Sequence, residues 1–124
     1  MLNVLYVEDD QINVLIMQLM LQDLVSLEVA PDPETALEMA AHQTYDLVLM
    51  DINLGHNQIN GVELMQTMRQ RWAYLQAIPF FAVTAYALPG DRECFLQQGF
   101  EEYFSKPVDK AALQTAINNI RFAS

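Results

Sequence analysis

Five short runs rich in β-branched, aromatic or other apolar residues recur along the chain, each followed by a longer stretch with helical spacing. This alternation constrains the fold more than any other feature, because it is the signature of βα units around a parallel sheet. Val4-Leu5-Tyr6-Val7 is the first run, a weaker one falls near Leu27-Glu28-Val29, and Asp46-Leu47-Val48-Leu49-Met50 is the third. The fourth runs from Pro79 to Thr84, and Tyr103-Phe104 is a short fifth. The first run is apolar throughout, as a strand covered on both faces is. Between the runs, the pattern predicts helices over 11–24, from Asp32-Pro33-Glu34 onward, from about Val62 to Arg71, over 88–98, and after Asp109. Asp32 and Asp109 are capping carboxylates, and Pro33 suits the first helical position. Leu113, Ala116, Ile117 and Ile120 fall on one face of the last helix. Right-handed crossovers put helices on both sides of such a sheet, so a doubly wound α/β sandwich is expected.

A chain of 124 residues supplies one domain and buries about two-thirds of its unfolded surface, enough for a core without disulfides or a structural metal. Sixteen Asp and Glu against six Lys and Arg give a net charge of −10. With the basic residues scattered, no stripe exists to neutralise phosphates or anchor to a membrane, which argues against nucleic-acid and membrane partners. The single Cys94 has no partner for a disulfide and no metal-binding spacing. The start, Met1-Leu2-Asn3-Val4, lacks the charged beginning and long apolar stretch of a signal peptide. Gln11, Gln18 and Gln22 punctuate the apolar stretch near residues 12–21, so it is too short to span a bilayer. A cytoplasmic, soluble protein is the expectation.

Ligands of open parallel sheets bind outside the carboxyl ends of the strands. The first strand ends at Glu8-Asp9-Asp10, the third at Asp51, the fourth at Thr84-Ala85, and the fifth runs into Lys106-Pro107. A Rossmann dinucleotide site is a poor fit, since the first turn has three acids and no GxGxxG. Taken singly, the acids read equally as helix N-termini, Thr84 as a strand-end hydroxyl and Lys106 as a solvated lysine. Their joint occurrence at the ends of four strands points elsewhere. Clustered carboxylates repel one another, and a hard divalent cation relieves this; Mg²⁺ suits a shallow site of few carboxylates. Beside such an ion an aspartate can attack phosphorus and form an acyl phosphate.

Val7-Glu8-Asp9-Asp10, Asp51 after Leu47-Val48-Leu49-Met50, Val83-Thr84-Ala85 and Lys106-Pro107 together resemble the receiver domain of two-component response regulators. The resemblance covers essentially the whole chain. It implies a flavodoxin-like (CheY-like) sheet of five parallel strands in the order 2-1-3-4-5, flanked by five helices. It further implies that Asp51 accepts a phosphoryl group from a histidine kinase or a histidine phosphotransfer protein. Asp9 and Asp51 would ligate Mg²⁺ or Mn²⁺, with Glu8 contributing through water and Asn53 through its backbone carbonyl. Thr84, the Ala85 backbone and Lys106 would bind the phosphoryl group. Thr84 and Tyr103 would form the switch, and Lys106–Pro107 matches the place of a cis peptide. Asp10 matches no ligand position, so helix capping is its expected role. Asn53 and Tyr86 occupy positions that tune the lifetime of the phosphate, and the bulk of Tyr86 predicts a long one.

Two departures stand out. Gly55 occupies the place, four after the phosphoacceptor, where the family commonly has Pro, and Gly61 follows Asp51 by ten residues where eight is usual. The loop 53–60 is therefore about two residues longer. His56 lies in that loop with nothing nearby to activate it, and His42 suits a helix C-terminus. On a helical wheel Ile12, Leu15, Ile16, Leu19 and Met20 form a stripe wide enough to cover the sheet. Val14, Met17 and Leu21 fall on nearly the opposite side, so they are expected, with Tyr103, to form a partner surface. The resemblance agrees, since phosphodonor helices dock on the first helix of receivers.

The expected function is a phosphoacceptor module spanning residues 1–124, with no output domain, that switches contacts with a downstream protein target, a homodimer being among the partners considered. It is not expected to be an enzyme beyond self-catalysed phosphorylation and dephosphorylation of Asp51. A phosphorylation-independent scaffold is disfavoured by the presence of Glu8, Asp9, Asp51, Thr84 and Lys106 together. A haloacid-dehalogenase-type phosphatase is disfavoured because Asn53 replaces the second acid of its Asp-x-Asp motif.

Overall fold

The computed structural model describes residues 1–54, 60–85 and 88–123, without the side chains of 121–123. Its elements run β1 (Leu2–Val7), α1 (Gln11–Met20), β2 (Val25–Ala30), α2 (Pro33–His42), β3 (Leu47–Asp51), α3 (Gly61–Arg71), a 3-10 turn (Ala73–Gln76), β4 (Phe80–Thr84), α4 (Asp91–Gln98), β5 (Glu102–Ser105) and α5 (Lys110–Ala123). The strands form one sheet in the order β2-β1-β3-β4-β5, all parallel, as expected.

Alternation along the central strands divides the core in two. Leu5, Val7, Val48, Met50, Phe80 and Ala82 pack with Ala36 and Ala40 of α2 and Leu64, Met65 and Met68 of α3. Val4, Tyr6, Leu47, Leu49 and Phe81 pack on the other face with Met17 of α1 and Leu113 and Ile117 of α5. At the edge away from the carboxyl ends, the Arg69 guanidinium donates to the carbonyls of Leu75, Ile78 and Gly99 and to Glu101, and lies 4.6 Å over the Phe80 ring. That clamp ties α3 to the segments that lead into β4 and β5.

Several expectations are corrected. Helix α1 stops at Met20 rather than 24, because Asp23 takes a left-handed φ of 66° and turns the chain into β2. Helix α4 starts at Asp91 rather than 88, after Gly90 at φ 88°. The two faces of α1 are also exchanged. Met17 and Leu21 are 2% and 1% exposed and, with half-buried Val14, pack on the sheet, whereas Ile12 and Leu19 are 71% and 60% exposed. Leu15 and Ile16 face outward with them. Both stripes are apolar, so periodicity alone could not tell them apart. Leu21 decides the matter, since as the cap residue it leads into β2 and is held among Val4, Tyr6 and Val25. Val14, Met17 and Leu21 therefore belong to the core and form no partner surface.

Candidate functional site

The carboxyl ends of β1, β3, β4 and β5 bring their polar residues to one rim. Glu8 follows β1, and its N–H donates to Ala30 O at 3.0 Å, continuing the β1–β2 ladder and drawing the side chain under the surface. Asp51 ends β3 opposite Val83 and is buried. Helix α3 presses against this strand end: Gly61 N–H donates to Ile52 O, and a Cβ at Gly61 would meet Asp51 O at 2.5 Å. Only glycine allows so close an approach. Lys106 N–H donates to Thr84 O at 2.8 Å, carrying the lysine past the end of β5 toward the acids. The Lys106–Pro107 bond is cis, as the resemblance implies.

The Lys106 ammonium lies 2.5 Å from Glu8 Oε1 and 3.5 Å from Asp51 Oδ1. Asn53 N–H donates to Asp51 Oδ1 at 3.3 Å, and its side-chain amide donates to Thr84 Oγ1 at 3.2 Å. Asp10 caps α1, accepting from the N–H groups of Ile12 and Asn13, in the role expected for it. Asp32 and Asp109 likewise accept from Thr35 and Ala111.

Three acids meet one cation here. Burial first, and the hydrogen bond with Glu8 second, push Asp51 up to about 7. Burial also opposes ionisation of Glu8, but hydrogen bonds from Asp51, Lys106 and Tyr6 outweigh it and hold Glu8 below its usual value. A proton shared by this pair therefore resides on Asp51. Burial and Glu8 also raise Asp9. One ligand oxygen from each of Glu8, Asp9 and Asp51 lies within 4.8 Å of the others. Octahedral Mg²⁺ holds oxygens at about 2.0–2.1 Å, so oxygens on one ion are no more than about 4.2 Å apart. Oxygens side by side on such an ion are about 3 Å apart, so side-chain rotation has to draw the three acids closer to gather them on one ion. They line an open cleft of about 150 Å³ with Asn53, Ala85, Lys106 and Asn13 of α1.

The sequence-predicted residues Glu8, Asp9, Asp51, Asn53, Ala85 and Lys106 thus share one cleft, and Thr84 adjoins it through Asn53. Tyr103 is half-buried on β5, away from the cleft lining, and stacks on Phe95 of α4 with centroids 5.5 Å apart. Tyr86, Gly55 and His56 lie outside the described residues. Two contributors escaped sequence reasoning. The Asn53–Thr84 bond joins residues 31 apart and leaves no sequence signal. Tyr6 donates its hydroxyl to Glu8 Oε1 at 2.8 Å. Residues two apart along an extended segment share a face, but in the sequence Tyr6 reads as one more apolar residue of its run.

The domain is a five-stranded doubly wound α/β fold with an acidic pocket facing a lysine at the carboxyl edge of its sheet. The chain belongs to the response regulator receiver domain family, whose profile matches residues 4–118. It is 36% identical over 117 residues to the aerobic respiration control sensor protein ArcB of Escherichia coli, covering 94% of this chain and 15% of that protein. It is 29% identical over 117 residues to the signal transduction histidine-protein kinase BarA of Escherichia coli, covering 94% of the chain and 12% of the relative. The chain thus spans less than a sixth of these relatives. Among solved structures, a putative response regulator from Chloroflexus aurantiacus superposes with TM-score 0.85 at 23% identity, covering 96% of each chain. The chemotaxis protein CheY4 of Vibrio cholerae superposes with TM-score 0.84 at 22% identity, covering 97% of this chain and 98% of that one. Among the described residues no helix is long and apolar enough to cross a membrane.

Proposed function

We propose that the domain receives a phosphoryl group on Asp51 from a phosphohistidine donor and converts it into altered protein contacts. The observation that carries this reading is the meeting of Asp51, a cation-sized acidic cluster and the Lys106 ammonium in one open cleft. An Asp51 carboxylate oxygen attacks phosphorus, a P–O bond forms, and the P–N bond to the donor imidazole breaks. Glu8, Asp9, Asp51 and the Asn53 carbonyl hold a divalent cation, which when bound neutralises charge on the transferring phosphoryl oxygens. Lys106, already 3.5 Å from Asp51, turns from Glu8 to pair with the phosphoryl group. Thr84 and the Ala85 N–H complete its hydrogen bonding. Recruitment of Thr84 releases it from the Asn53 amide and shifts the face where Tyr103 stacks on Phe95.

The donor, a histidine kinase or histidine phosphotransfer protein, docks over the outward stripe of α1. Asn13 at the start of this helix lines the cleft, and Ile12, Leu15, Ile16 and Leu19 form an exposed apolar surface beside it. Incubation with acetyl phosphate and Mg²⁺, followed by intact-mass measurement, tests the reading. One added phosphoryl group, absent in Asp51→Asn, is expected. No addition with any donor favours a phosphorylation-independent scaffold, and turnover of small phosphate esters favours an enzyme.

A further inference from the structure

Tyr6 is 1% exposed, next to the carboxyl end of β1, among Val4, Leu49, Phe81 and Met17. Phenylalanine or leucine would fill that volume without carrying a hydroxyl into an apolar cluster, where an unpartnered hydroxyl costs about 1–3 kcal/mol. The hydroxyl here has one acceptor, Glu8 Oε1 at 2.8 Å. Glu8 Oε1 thus receives two donors of different character. Lys106 is a charge on a flexible stem, placed between Glu8 and Asp51. The Tyr6 hydroxyl is fixed by the packing of its ring and cannot follow another partner.

We propose that Tyr6 is the positioning residue of the cation site, the permanent donor that holds the Glu8 carboxylate in place when Lys106 leaves it for the phosphoryl group. With Oε1 engaged, Oε2, which accepts a long 3.4 Å bond from Asp10 N–H and faces the other acids of the cluster, keeps capacity for the cation or a cation-bound water. Partners that orient metal ligands in this way matter for affinity, since losing one typically costs about tenfold or more. The inference rests on the reading of Glu8, Asp9 and Asp51 as a divalent-cation site.

Calorimetric titration with Mg²⁺ of the wild type, Tyr6→Phe, Glu8→Ala and the double variant provides the test. Tyr6→Phe is expected to weaken Mg²⁺ binding about tenfold, the low end for such partners. In the Glu8→Ala background the same change is expected to have no effect, because Tyr6 acts only through Glu8. Tyr6→Leu, a second apolar replacement, should reproduce the result if Tyr6→Phe melts early. Equal Mg²⁺ affinity in wild type and Tyr6→Phe overturns the proposal while leaving the cation site standing. The same loss in both backgrounds overturns it too, by assigning the effect to packing. Absence of Mg²⁺ binding to the wild type removes the cation reading and this inference with it.

Discussion

Proton and divalent cation compete for the same pair of carboxyls, and the structure sets the pH at which the contest turns. Asp51, raised to about 7, holds a proton that a cation must displace below that pH. Displacing one proton makes apparent affinity fall about tenfold for each pH unit below the group's pKa. The Mg²⁺ dissociation constant should therefore rise about tenfold between roughly pH 8 and 6, and about tenfold more by roughly pH 5. Glu8, held low, ionises below this window and adds no second slope within it. Calorimetry at each pH, in buffers of differing ionisation enthalpy, reads both the constant and the proton released. Asp51→Asn, which has no proton to displace, should bind more weakly and lose this dependence. Stability without cation follows the same sign. A raised Asp51 contributes stability present in full below its unfolded value of 3.8 and lost as pH rises through about 7, so the midpoint of melting should fall over that range and Mg²⁺ should restore it. A dissociation constant flat from roughly pH 5 to 8, with no proton released, would refute the placement of the shared proton on Asp51.

Two further outcomes follow from packing. Gly61→Ala should destabilise the domain by about 1–3 kcal/mol in chemical denaturation, because its Cβ meets backbone at Asp51 and Ile52 that has nowhere to yield; an unchanged midpoint would contradict that contact. Leu15→Gln with Leu19→Gln should slow phosphotransfer from a phosphohistidine donor while leaving acetyl phosphate labelling and melting unchanged, whereas Met17→Gln, in the core, should unfold the domain by circular dichroism.

The sheet was legible because its central strands are continuous apolar runs bounded by polar strand ends, and parallel order follows from the helical stretches between them. The acidic pocket was legible for the same reason, since strand ends are local features and the rule that ligands gather there needs no tertiary detail. The orientation of α1 was not. Its stripes are both apolar, and the residue that settles the choice, Leu21, acts through contacts with Val4 and Val25 rather than through spacing. The 3-10 turn at Ala73–Gln76 carries little periodicity and is held by Arg69 through the Leu75 carbonyl, a partner invisible to any pattern of side chains. Tyr6 was hidden by its own hydrophobicity, since within Val4–Val7 it reads as one more core residue until its hydroxyl is traced to Glu8.

The central claim is that Asp51, and no other carboxylate of the acidic cluster, takes the phosphoryl group. Borohydride reduces an aspartyl phosphate to homoserine, so treatment after phosphorylation, followed by peptide mapping, marks the acceptor. Homoserine at position 51 alone is the predicted result. Homoserine at Asp9 or Asp10, or none after a phosphoryl group has been added, would contradict the account.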